Sequence, residues 1–96
     1  MADVRGVVAI LVSVANEGHL NVSASAGEEC MIINLYFGGS AELSKYDGGN
    51  EVLVENVEQA GSRLRQKYMV TNNVYLRIKN TSGNAEIFGY DGVRTK

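Results

Sequence analysis

An all-β fold, an antiparallel β-sandwich or jelly-roll-like small barrel of about 7–8 strands, is the architecture this sequence predicts. Three observations point to it. The dominant hydrophobic period is two, the period of a strand. Turn-forming clusters recur at a spacing of about 8–12 residues, as in sandwiches and barrels. The one stretch with helical character, around residues 57–67, is interrupted by Gly61, so a loop or a single helical turn is expected there.

The elements follow in chain order. Residues 7–14 are apolar on both faces, which places this strand in the middle of a sheet or at a subunit interface. Residues 19–25 alternate, with Leu20, Val22 and Ala24 facing a core and His19, Asn21, Ser23 and Ser25 facing water. Residues 30–37 form a second doubly apolar strand, broken only by Asn34. Strands are also expected at 41–46, 51–57, 64–70, 74–79 and 85–90. In the segment 74–79, Val74, Leu76 and Ile78 point inward, and Arg77 and Lys79 outward with Tyr75. Asp47-Gly48-Gly49-Asn50 is the strongest hairpin signal, because Asp-Gly and Gly-Gly tolerate the positive φ of tight turns. Proline is absent, so Gly, Asn and Asp carry the turn chemistry.

The 96 residues make a single β domain, residues 1–96, in which 1–6 and 91–96 are candidate extended arms. A net charge of −2 lacks the basic excess of a general nucleic-acid binder. The apolar run at 7–12 is far too short to span a bilayer. A single cysteine, Cys30, allows no disulfide within the chain and fits a reducing compartment.

Candidates for chemistry are few. One His and one Cys are too few ligands for a zinc site, and no metal or cofactor is expected. Cys30 reads as a small buried hydrophobe, since nothing in the sequence brings His19 to it as a base. No Gly-x-Ser-x-Gly elbow and no phosphate-binding glycine motif occurs. The chain is therefore expected to be no enzyme and to have no catalytic residues. Arg63, Arg65 and Lys67 alternate, as do Arg77 and Lys79, and would form a positive stripe if their strands were neighbours. Apolar and aromatic side chains are the better candidates for binding. Val7, Ala9 and Leu11 on one face of the first strand, with Tyr46, Tyr75 and Tyr90, are the expected interface residues.

The segments Gly27-Glu28-Glu29-Cys30-Met31-Ile32-Ile33-Asn34-Leu35-Tyr36, Tyr75-Leu76-Arg77-Ile78-Lys79-Asn80-Thr81-Ser82-Gly83 and Ile87-Phe88-Gly89-Tyr90-Asp91-Gly92 resemble the small β-sandwich structural proteins of tailed bacteriophages. These act as head decoration (cement) or head–tail accessory proteins. The resemblance spans residues 27–96 and rests on strand and turn patterns. It implies a virion component that binds the outer surface of the head lattice and stabilises it. Its partners would be the major capsid protein or other virion proteins, and it would be a homo-oligomer, with a trimer favoured. The same residues suit a second class, a carbohydrate- or receptor-binding module that uses Tyr46, Tyr75 and Tyr90 as stacking platforms.

Overall fold

The computed structural model describes residues 6–96. Nine strands run through them: β1 (Val7–Val14), β2 (His19–Val22), β3 (Glu29–Phe37), β4 (Ala41–Tyr46), β5 (Glu51–Val57), β6 (Gly61–Arg63), β7 (Tyr68–Thr71), β8 (Tyr75–Asn80) and β9 (Glu86–Arg94). All pairings are antiparallel. One sheet has the order β1-β9-β3-β6, with β7 also pairing with β3, and the other has the order β2-β8-β4-β5. The chain crosses between the two sheets at every step except β4 to β5 and β6 to β7, which is the winding of a jelly roll.

Nine strands replace the expected seven or eight for a local reason. The extra strand, β6, forms at 61–63, where a loop or a single helical turn is expected, and the strand expected from residue 64 begins only at Tyr68 as β7; both are laid along β3. Between them Arg65 turns the chain with a φ of 61°, and its backbone N–H donates to Asn34 Oδ1 at 3.0 Å. Gln66 N–H donates to the Ile33 carbonyl at 2.7 Å, at the place where β3 bulges against β9. The extra residue of the bulge pushes the neighbouring chain off its regular ladder.

The alternation read from the sequence builds the core. Val22 of β2, Ile32, Leu35 and Phe37 of β3, Leu43 of β4, Val70 of β7, Leu76 and Ile78 of β8, and Phe88 of β9 all lie between the sheets. Phe37 and Phe88 oppose each other in the β3–β9 ladder and meet edge to face, their ring centroids 6.3 Å apart. Cys30 is buried among them, and burial, then the Glu28 carboxylate, pushes its thiol pKa up. Such a thiol should react with a disulfide reagent only after unfolding. Prompt labelling of the native protein, followed by absorbance, would contradict this placement.

Two expectations are corrected here. The segment 7–14 is not a covered central strand: β1 is the outermost strand of its sheet, paired only with β9. Residues 91–96 are not a free arm. β9 continues without a break through Asp91-Gly92 to Arg94, held between β1 and β3, and Lys96 O accepts from Glu29 N–H at 3.0 Å. Gly92 permits this because a Cβ there would overlap the Met31 carbonyl. Of the other expected arm, Gly6 accepts from Arg94 N–H at 2.9 Å, and residues 1–5 lie outside the described residues.

The hairpin at 47–50 forms as expected. Gly48 takes a φ of 95°, and Asp47 Oδ1 accepts from the N–H groups of Gly49 and Asn50 at 3.0 and 2.7 Å. The bond from Asn50, then that from Gly49, lowers the Asp47 carboxyl pKa.

Candidate assembly surface

Five strands border the two sheets, β1, β6 and β7 in one and β2 and β5 in the other, and their open edges differ in kind. A bare sheet edge carries unpaired N–H and C=O groups and invites another strand, so edges are normally kept short, charged or bulged. β2 has four residues, and β6 and β7 have three and four. β5 is longer, seven residues, and it bulges against β4 where Leu43 pairs with Glu55 but Ser44 with Leu53. It also turns Glu55 inward beside Leu43. There Glu55 meets Arg63, whose Nε donates to it at 2.9 Å, and whose guanidinium lies 5.8 Å from the centre of the Phe37 ring. Arg63 sits in the β1-containing sheet and Glu55 in the other, so this pair clamps the two layers together. The same bond raises the Arg63 pKa further above its ordinary value.

β1 has none of these protections. Its eight residues, Val-Val-Ala-Ile-Leu-Val-Ser-Val, pair with β9 in unbroken register from Val7↔Val93 to Val14↔Glu86. It contains no charge, no bulge, no glycine and no proline. Both faces are open. Leu11 on the outer face is 68% exposed, and Ile10 and Val12 on the inner face are 39% and 37% exposed. The inner face stays open because β2, which follows β1 into the opposite sheet, is only half as long. The outer face continues as an apolar surface over Ile87 and Val93 of β9 and Met69 of β7.

A carboxylate lies within that surface. Asp91, opposite Ala9, accepts hydrogen bonds from Asn34 Nδ2 at 2.7 Å and Tyr36 Oη at 2.6 Å. The bond to Asp91 raises the Tyr36 pKa, because the phenol proton is held by the carboxylate.

The outer face of the second sheet is polar by contrast. Its rows run His19–Lys79–Glu42 and Asn21–Arg77–Ser44. Tyr46 and Tyr75 pair across β4 and β8 and meet edge to face at 5.6 Å, and the Arg77 guanidinium covers the Tyr46 ring at 4.4 Å. Each ring already has a partner.

The structure therefore sorts the expected interface residues into three places. Val7, Ala9 and Leu11 stand together on the outer face of β1. Tyr46 and Tyr75 stand together on the other sheet. Tyr90 faces the core, only 8% exposed, and burial raises its pKa. It is not available as a stacking platform. The condition for a positive stripe is not met, because β6 and β8 belong to different sheets. Arg63 pairs with Glu55, Arg77 lies 3.9 Å from Glu51, and Lys79 lies 3.2 Å from Glu17. His19 is on the outer face of one sheet and Cys30 on the inner face of the other, so they cannot act as a pair. Among the described residues no three His, Cys, Asp or Glu side chains converge as a metal site would require. Sequence reasoning missed the edge position of β1, and with it the exposure of Ile10 and Val12. It also missed the exposed run Val52-Leu53-Val54 on β5. The signal available for β5 was three consecutive apolar residues beside a tight turn.

Fold and surface together define a jelly-roll domain with one long, apolar, unprotected strand edge. No family model and no curated protein matches the sequence. Among solved structures, a chain from Bacillus endospore appendages, described as a novel family of disulfide-linked pili, has a similar fold. The TM-score is 0.57 at 15% identity, over 94% of this chain and 83% of that one.

Proposed function

We propose that this chain is a non-enzymatic structural subunit that assembles into an ordered protein array by strand addition at the β1 edge. The observation that carries the reading is β1 itself: eight uncharged residues, open on both faces, with one row of backbone groups unpaired. An edge of this kind is a liability in a protein meant to stay alone, and an asset in a subunit that adds to a neighbour. Two settings suit such a subunit. One is a virion surface, where the partner would be the major capsid protein, as the sequence resemblance implies. The other is a fibre, the setting of the pilus chain that shares this fold. Any link made here is non-covalent, since the sequence's only cysteine is buried in the core.

The test is the mass in solution of purified protein, measured by light scattering as concentration rises. Wild-type protein should associate. The double substitution Ile10→Lys with Leu11→Lys puts one charge on each face of β1 and should leave a folded monomer, because both positions are exposed. Wild-type protein that stays monomeric at millimolar concentration would overturn the reading.

A further inference from the structure

The open edge of β1 leaves its partner unspecified, and the opposite corner of the molecule offers one. Arg63 of β6 touches Glu55 of β5, so β6 stacks over β5. A tight turn carries β1 into β2, with Gly18 N–H donating to Ala15 O at 2.8 Å, so β1 and β2 share the other end. β1 and β5 thus border different sheets at diagonally opposite corners. They are also the longest of the bordering strands, with eight and seven residues.

Their exposed side chains match in pattern. On β1, Ile10 and Val12 point inward and Leu11 outward. On β5, Val52 and Val54 line the inner side and Leu53 points outward, with Val52 66% exposed and Leu53 54%. Beside Val52 and Val54 runs an open, mainly apolar groove of ≈ 400 Å³, closed by Tyr46 and Val74 and bordered by Lys45, Asp47 and Asn50. A strand laid along β5 would place its alternate side chains over this groove. Charge on the two strands themselves does not oppose the contact, and Asp47 at the groove's border accepts from the N–H groups of its own turn. β1 has no charge, and the acids of β5 are engaged within their own chain, Glu55 with Arg63 and Glu51 with Arg77. Glu51 and Glu55 would thus keep their cations in the contact.

Resting on the assembly reading above, we infer that the occupant of the β1 edge is the β5 edge of a second copy of this chain. Pairing β1 with β1 across a two-fold axis would cover Ile10 to Val12 and leave Val52 to Val54 in water. Pairing β1 with β5 covers both runs in one contact. The contact is heterologous: every subunit offers one donor edge and one acceptor edge. It yields a ring if the rotation closes, including a trimer, and a filament if it does not.

The experiment mixes two blocked variants. One carries Ile10→Lys and Leu11→Lys on β1; the other carries Val52→Lys and Leu53→Lys on β5. All four sites are exposed, and circular dichroism checks that both variants fold. Each variant alone should self-associate at least roughly 30-fold more weakly than wild type, the scale of an interface hot spot. Mixed one to one, they should form a heterodimer and nothing larger, since each keeps the edge that the other has lost. A β5 variant that self-associates as wild type does would overturn the inference and leave assembly through β1 standing. So would a mixture that remains monomeric while wild type assembles. Monomeric wild-type protein would remove both readings.

Discussion

Replacing Asn80 by alanine should cost about 2–3 kcal/mol of stability, since it strands buried hydrogen-bonding groups. Asn80 is fully buried at the end of β8. Its Nδ2 donates to the Val14 carbonyl at 2.8 Å and to the Asn84 carbonyl at 2.7 Å, and its Oδ1 accepts from Ser82 N–H at 2.9 Å. One side chain therefore ties the end of β1 to the loop between β8 and β9, and so ties one sheet to the other. For a domain of this size the loss corresponds to a fall in Tm of about 10–20 °C, which calorimetry would read. Asn80→Asp separates the bonds. It keeps the acceptor for Ser82 and turns a carboxylate oxygen toward two carbonyls. Burial and those carbonyls hold the new carboxyl pKa above its unfolded value of about 3.9. The folded state then binds more protons than the unfolded one, so stability is lost as pH rises from the unfolded pKa through the raised folded one. Asn80→Asp should thus be least destabilised in acid. Equal stability of all three proteins at neutral pH would show that Asn80 ties nothing.

The second large effect is expected at Gly89. A Cβ there would overlap the Ile10 carbonyl oxygen and the Leu11 side chain. The backbone of β1 cannot yield while it stays paired with β9, so Gly89→Ala should cost about 3 kcal/mol by overpacking. Relief comes by shifting β1 away from β9. Amide exchange across β1 should therefore accelerate more than exchange in β8, which lies in the other sheet. Uniform acceleration in both sheets would point to global destabilisation instead. Because Gly89 is not at a turn, its value is the close approach of two strands.

Much of the architecture was legible in residue type. The segments expected at 41–46 and 51–57 are β4 and β5 to the residue, because each is bounded by glycine or a turn cluster. The alternation of Leu20 with Val22 and of Leu76 with Ile78 fixed their inward faces, since a period of two leaves no other choice. What failed was long-range. Two-sided apolarity in 7–14 and 30–37 reads the same in both segments, yet β3 is central and β1 is at the rim. Local pattern reports that a strand can be covered on both faces, and only the sheet order decides whether it is. Tyr90-Asp91-Gly92 looks like a turn by the same rule that correctly marks Tyr46-Asp47-Gly48. In β9 the Asp91 side chain is taken by Asn34 and Tyr36, more than 50 residues away in sequence, and the strand continues. Asn80 falls just past the strand expected at 74–79 for the same reason: its partner Val14 is 66 positions distant.

Asp91 also shapes how the β1–β9 face can be covered. Its two oxygens already accept hydrogen bonds from Asn34 and Tyr36, so a neighbour resting there meets no acid in search of a counter-ion. Dehydrating this face removes water from hydrocarbon and leaves the carboxylate solvated by its own chain. Contact on that side is consequently sorted by contour, and dissolved electrolyte has little hold over it.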